Sequence, residues 1–145
     1  MKAKFIAIVI VFATVFASCS DDDAKAITPT SSTTAGFKWK ENGGAEITAD
    51  VVYFETAYKT IKASKGTSGT PGFQFVEINL SGTTAGTYAV GAGNAVGTLA
   101  GYGANAGNIE ITSNTGGKMS GTLTSTGSGS GTTSLDATFI EIEVR

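Results

Sequence analysis

"FKWKENGGAEITA", residues 37 to 49, decides the fold. Phe37 and Trp39 alternate with Lys38 and Lys40, so an extended chain puts rings on one side and charges on the other. Asn42-Gly43-Gly44 breaks the alternation, and Asn-Gly suits a tight hairpin because both central residues accept positive φ. The chain returns through Ala45-Glu46-Ile47-Thr48-Ala49. An amphipathic strand, a sharp turn and a return make one unit of antiparallel sheet.

Outward from this hairpin the same grammar repeats, and no stretch has a helical period. Val51 to Phe54 and Tyr58 to Ala63 read as strands, with a polar loop from Ser64 to Gly72. Val76, Ile78 and Leu80 alternate with Glu77 and Asn79, which predicts a half-buried strand. Phe73 and Phe75 fall in the opposite phase, so a bulge or corner is expected near Phe75. Thr87 to Val90 and Ala95 to Ala100 are weaker strands. Asn108 to Ser113 turns at Asn114-Thr115-Gly116-Gly117 into Lys118 to Thr126, and "GSGSG" (127 to 131) leads into Thr132 to Val144. That last strand changes phase: Leu135, Ala137 and Phe139 share one face, Ile140, Ile142 and Val144 the other. Either it kinks or it is covered on both sides. Short connections favour pairing of sequence neighbours, so residues 36 to 145 are expected to form one all-β domain. Its expected architecture is an antiparallel meander closed as a small β-sandwich or flattened barrel.

The front of the chain carries an address. Met1-Lys2-Ala3-Lys4 precedes an apolar run from Phe5 to Phe16, the layout of a secretory signal. As a helix this run rises about 18 Å at ~1.5 Å per residue, short of a hydrocarbon core of roughly 30 Å. It ends in Phe16-Ala17-Ser18-Cys19, which resembles the lipobox of bacterial lipoproteins, with Phe16 where that family usually has Leu. The resemblance implies cleavage after Ser18 and acyl chains on Cys19, and so a membrane partner reached through lipid. Two or more chains at ~0.8 kcal/mol per buried methylene anchor stably where one does not. Cys19 is the only cysteine, so an intrachain disulfide is excluded. Ser20-Asp21-Asp22-Asp23 resembles the acidic start of Bacteroidota-type surface-exported lipoproteins, which implies an outer-membrane protein facing out of the cell. Residues 1 to 18 are thus expected to be a signal peptide, and 19 to 35, rich in Ser and Thr, a lipidated tether.

Composition removes whole classes of chemistry. Loss of Lys2 and Lys4 with the signal takes the formal charge from −2 to −4, and Arg145 is the only arginine. No basic cluster exists to meet a phosphate backbone, so nucleic acid is excluded as a partner. The chain contains no histidine, which removes Ser-His-Asp triads, Cys-His pairs and histidine metal sites. Gly97-Thr98-Leu99-Ala100-Gly101-Tyr102-Gly103 has the glycine spacing of some nicotinamide-dependent reductases. A strand follows it rather than a helix, so no helix N-terminus meets a pyrophosphate, and no cofactor is expected. Asp21 to Asp23 lack the spaced ligands and glycine of a calcium loop. Asp50, Glu55, Glu77, Glu110, Asp136, Glu141 and Glu143 include no assigned catalytic pair, and most stand at polar beats of strands. Among the aromatics Trp39, Tyr53, Phe54, Tyr58, Tyr88 and Tyr102, Tyr102 sits between glycines without strand pattern. It is the candidate contact residue, against the alternative of a ring folded over the core edge.

Taken together, "FKWKENGGAEITA", "NLSGTTAGTYAVGAGNAV" (79 to 96) and "ITSNTGGKMSGT" (111 to 122) resemble an all-β domain of unknown function found in small Bacteroidota-type lipoproteins. The resemblance implies a fold and brings no activity. The expectation is a non-catalytic surface module binding a glycan, matrix or envelope protein. The alternative is an assembly component pairing through an edge strand such as the C-terminal "FIEIEVR". A carboxylate-based glycoside hydrolase ranks last.

Overall fold

A computed structural model describes residues 34–145. The stretch expected to be a signal peptide, Cys19, Asp21 to Asp23 and most of the expected tether lie outside the described residues. Ten strands follow in order: β1 (Gly36–Glu41), β2 (Ile47–Thr48), β3 (Val51–Glu55), β4 (Thr60–Lys65), β5 (Gln74–Asn79), β6 (Gly86–Ala89), β7 (Ala95–Thr98), β8 (Gly103–Thr115), β9 (Lys118–Ser128) and β10 (Ser134–Val144). Seven close a barrel in the order β10-β3-β4-β5-β7-β8-β9, with β9 pairing back to β10. The remaining strands attach outside it: β1 on β10, β2 on β1, and β6 on β8.

Two seams flatten this barrel. β1 takes the first half of one β10 edge, and β3 takes its end through two parallel pairs, Glu143↔Tyr53 and Val144↔Phe54. At the other seam β6 pairs along β8, while β7 touches β8 only at Gly97↔Gly103. The molecule therefore reads as two facing layers, β2-β1-β10-β9-β8-β6 and β3-β4-β5-β7. Ring neighbours are antiparallel at every junction except the closure, where β10 and β3 run parallel, and the meander is broken once more where β5 pairs with β7 past β6.

The first hairpin forms as its residues dictate. Asn42 and Gly43 have φ of 52° and 66°, and Lys38 and Trp39 pair with Thr48 and Ile47. The Asn42 side chain also accepts from the Thr133 and Ser134 amides at 2.7 and 3.2 Å and donates to the Gly131 carbonyl. One turn residue thus fastens the hairpin to the β9–β10 loop. Phe37 and Trp39 are buried, and the Phe37 ring stacks on Phe139, its register partner in β10, at 6.4 Å between centroids. Phe54, Ile61, Val76, Ile78, Ile109, Ile111, Met119, Leu123 and Leu135 complete one continuous core.

The phase change in the last strand is a kink. The β9–β10 register shifts between Phe139 and Ile142, where Glu141 takes a φ of 48° and its amide donates to Ser120 Oγ at 2.8 Å. This bulge returns Ile142 to the core beside Leu135 and Phe139, and leaves Ile140 half-buried. Two expectations fail. β5 pairs with β4 without interruption from Gln74 to Asn79, so no bulge lies near Phe75. Instead Phe75 stands half-buried on the outer face of its layer. The strand expected to begin at Asn108 also begins earlier, at Gly103. Gly107 lies so close to the Thr124 carbonyl and Ser125 Cα of β9 that a Cβ there would overlap both. Small residues permit this approach and at the same time erase the alternation that would have announced a strand.

Candidate functional site

Tyr102 is not a contact residue. It is 2% exposed and belongs to the core. Its hydroxyl lies 3.0 Å from Ser125 Oγ, and Ser125 in turn donates to the Leu135 carbonyl at 2.9 Å. With Ser125's proton committed there, the Tyr102 hydroxyl is the donor of the pair. Gly129, on the β9–β10 side, lies so close to the backbone of Gly101 and Tyr102 that a Cβ on it would overlap them. The glycine-rich stretch from 97 to 103 is the end of β7, a tight turn and the start of β8. It contains no helix.

The other aromatics divide by layer. Trp39 and Phe54 are buried. Tyr88 is half-exposed, and its hydroxyl donates to the Thr84 carbonyl at 2.7 Å. Tyr58 is 70% exposed in the turn between β3 and β4. Tyr53, half-buried in β3, is covered by the Arg145 guanidinium 4.8 Å from its ring centre.

The outer faces of the two layers differ. On the larger one, Lys38, Thr138, Thr122 and Glu110 form one register row across β1, β10, β9 and β8. Lys40, Asp136, Thr124 and Asn108 form the next. Both rows are polar. On the smaller layer, the register sets Glu143, Tyr53, Lys62, Glu77 and Gly97 side by side across β10, β3, β4, β5 and β7. The neighbouring row is Val51, Ser64 and Phe75, continued by Leu99, whose amide donates to the Phe75 carbonyl. Val51 at 51%, Tyr58 at 70% and Leu99 at 62% are the exposed large hydrophobic residues among those described, and all three lie on this layer or its rim.

Charges on this face are mostly paired. Lys62 Nζ meets Glu55 at 2.5 Å and lies 5.7 Å from the Tyr58 ring centre. The Glu55 hydrogen bond holds the Lys62 ammonium above its ordinary range. Arg145 grips Glu143 at 2.8 Å, and that bond holds the Glu143 carboxyl below its usual value. Lys65 at 2.6 Å and the Gly66 amide at 2.8 Å do the same to Asp50. Glu77 is different. Only its Oε1 is engaged among the described residues, by the Asn79 amide at 3.0 Å. The Asn79 Oδ1 in turn lies 2.7 Å from the buried Thr60 hydroxyl, whose one proton is shared with the Tyr58 carbonyl at 3.0 Å. Beside Glu77 a depression of about 360 Å³ is lined by Phe75, Glu77, Gly97, Thr98 and Leu99.

Of the seven carboxylates read from sequence, Glu141 occupies the β10 bulge rather than a polar beat. No group of three or more potential metal-ligating side chains occurs among the described residues. The C-terminal strand is not an edge, because β9 pairs along one side of β10 and β1 and β3 along the other. Pairing through "FIEIEVR" is therefore withdrawn. No family model, no characterised protein and no solved structure significantly matches this chain.

Proposed function

We propose that this chain is a non-catalytic glycan-binding module, anchored by lipid on Cys19 at the outer surface of a bacterial outer membrane. Its contact surface is the outer face of β3-β4-β5-β7. The observation that carries the reading is that Val51, Tyr58 and Leu99, the exposed large hydrophobic residues among those described, all stand on this one layer or its rim, spaced across it with Lys62, Glu77 and Asn79 between them. A single exposed apolar residue is ordinary on a protein surface, whereas several on one face interleaved with hydrogen-bonding groups mark a contact surface. Aromatic rings give sugar C–H faces a platform, and rigid strands hold that platform without ordering cost. Paired charges leave the face with little net field, which suits an uncharged partner. The sequence supports the anchor through Phe16-Ala17-Ser18-Cys19 and the acidic residues behind it.

The test uses protein purified from its native envelope. Mass spectrometry of the N-terminal peptide is expected to find Cys19 first and acylated, and added protease is expected to cleave the domain on intact cells. Bound polysaccharide is expected to be lost on Tyr58→Ala together with Leu99→Asp, with the melting temperature unchanged. An unacylated N-terminus elsewhere refutes the anchor. Retention of envelope protein but no polysaccharide refutes the glycan assignment.

A further inference from the structure

The first hairpin carries a reactive pair at its tip. Asn42-Gly43 is the one place in the chain where an asparagine precedes a glycine; the other asparagines precede Leu80, Ala95, Ala106, Ile109 and Thr115. With no side chain to hinder it, the Gly43 nitrogen can attack the Asn42 side-chain carbonyl carbon. A bond forms between that nitrogen and Cγ, the Cγ–Nδ2 bond breaks, and ammonia leaves with the proton of the Gly43 amide. Water then opens the five-membered imide. Hydrolysis at Cγ gives aspartate at position 42, and hydrolysis at the main-chain carbonyl gives isoaspartate, with one extra carbon in the main chain. Neither step needs an oxidant or a reductant. Both residues are exposed, so water reaches them.

The fold holds this reaction off in two ways. Asn42 has a φ of 52°, and a residue in that left-handed well takes a ψ of about +30 to +60°. About its Cα–C bond, Cβ then lies nearly opposite the Gly43 nitrogen, whereas ring closure needs the two eclipsed. The Gly44 amide, donating to the Glu41 carbonyl at 2.9 Å, locks that turn. The carboxamide is also drawn toward the β9–β10 loop. Its Nδ2 donates to the Gly131 carbonyl at 3.0 Å, and its Oδ1 accepts from the Thr133 amide at 2.7 Å, the Thr133 hydroxyl at 3.0 Å and the Ser134 amide at 3.2 Å. The Asn42 amide adds a bond to the Ser134 carbonyl at 3.0 Å. Rotation into the reactive geometry breaks this set, so the hairpin must first let go of the loop.

We propose that Asn42-Gly43 is a self-modification site gated by its clamp to residues 131 to 134, and that its conversion is a one-way switch. Neither product restores the clamp. A carboxylate has no proton to donate to the Gly131 carbonyl and sets its charge against that oxygen. It also adds charge beside Glu41, whose Oε2 already accepts from the Thr132 hydroxyl at 2.9 Å. Isoaspartate lengthens the main chain at the turn, so Lys38↔Thr48 and Trp39↔Ile47 lose the connection that sets their register. Conversion during one opening of the clamp thus makes the release permanent.

The test follows the full chain in detergent micelles, folded in buffer and unfolded in urea, by mass spectrometry of the peptide that holds Asn42. In urea that peptide is expected to exchange ammonia for water, with isoaspartate detected by an isoaspartate-specific methyltransferase. Peptides holding Asn79, Asn94, Asn105, Asn108 and Asn114 are expected to lag far behind. In the folded chain the conversion at Asn42 is expected to be slower by roughly tenfold or more, because only the open fraction reacts. Thr133→Pro removes the amide and hydroxyl that hold Oδ1 and keeps the carbonyl that accepts from the Gly127 amide. That variant, shown by circular dichroism to be folded, is expected to convert several-fold faster than the unaltered chain. If it does not fold, one glycine inserted after Gly131 displaces the loop instead. Converted chains returned to buffer are expected to melt lower by roughly 4 °C or more. Equal rates in buffer and in urea, or in the unaltered chain and the folded loop variant, refute the gate. Absence of conversion in urea refutes the site, and an unchanged melting temperature after conversion refutes the switch.

Discussion

The bulge at Glu141 offers the sharpest test of how the barrel closes. It reverses the phase of β10, so Ile142 faces the core at 2% exposure while Ile140 is half-buried. Truncating a buried isoleucine to alanine costs about 2 to 5 kcal/mol. At about 4 °C per kcal/mol for a domain of this size, Ile142→Ala should lower the melting temperature by roughly 8 to 20 °C. Ile140→Ala removes a side chain already half in water and should cost about half as much or less. Glu141 itself has a φ of 48° with an exposed side chain, a conformation that costs an L-residue roughly 1 to 2 kcal/mol. Glycine relieves that strain but adds about 0.5 to 1 kcal/mol of unfolded-state freedom. Glu141→Gly should therefore stabilise by about 0.5 to 1 kcal/mol, a rise of roughly 2 to 4 °C. Thermal unfolding followed by circular dichroism, with urea titrations showing an unchanged slope, reads all three. Equal losses for Ile140→Ala and Ile142→Ala would mean a strand covered on both faces. A lower melting temperature for Glu141→Gly would mean no strained residue at the bulge. Either result refutes the kink.

Two further predictions concern the core and the surface ion pairs. Ser125→Ala leaves the buried Tyr102 hydroxyl without its acceptor and should cost about 1 to 3 kcal/mol, more than Tyr102→Phe at about 1 kcal/mol. Neither should alter glycan binding, and a Tyr102→Phe variant with an unchanged melting temperature but weakened binding would return that residue to the contact surface. Hydrogen bonds from Lys38, Lys65 and Arg145 hold the Glu46, Asp50 and Glu143 carboxyls below their ordinary values of 4.5, 3.8 and 4.5. The stability these groups contribute is complete above those values and lost as pH falls through the lowered ones. Lys62, raised above 10.5 by its Glu55 hydrogen bond, contributes below that value and loses its contribution as pH rises past it. The urea midpoint should be level from pH 6 to 9, fall below about pH 4, and fall again above about pH 10.5. Because the carboxylate pairs are exposed and the Lys62–Glu55 pair is only half-buried, salt should shrink both limbs, the acid one more, and salt-independent limbs would contradict the pairing.

What could be read from sequence follows from where side chains carry pattern. The first hairpin was legible because Asn42-Gly43 names its own turn and Phe37 and Trp39 name its buried face. The phase change in β10 was legible because Phe139 and Ile142 fall on opposite beats of a period of two, but whether the strand kinks or is covered on both faces was decided only by the shifted β9–β10 register. The first part of β8 was not, since Gly103, Ala104, Ala106 and Gly107 carry no alternation, and a Cβ on Gly107, or on Gly127 of β9, would overlap the opposite backbone. Parallel closure was beyond reach for another reason. It rests on two residue pairs between Glu143–Val144 and Tyr53–Phe54, and such short contacts follow from how the layers twist rather than from any local preference.

The contact surface was misread for a reason that generalises. Tyr102 drew attention because glycines flank it, yet glycine beside a ring also marks a turn. Here Gly101 takes a φ of 97° between β7 and β8, and the ring is buried. Phe75 carried the better signal. It stands in the polar phase of a strand whose apolar phase is already filled by Val76, Ile78 and Leu80, all buried. A bulge can restore such a residue to the core, but only if register is sacrificed, and β4 pairs with β5 from Thr60 to Lys65 without a break. An aromatic residue out of phase in an unbroken ladder is thereby forced outward, where neighbours bury its ring only in part. Its surroundings depend on Gly97 and Leu99, some two dozen residues away, which reach it only because β7 skips past β6 to pair with β5. The out-of-phase residue is therefore written in the sequence, and the groove beside it is written in the topology.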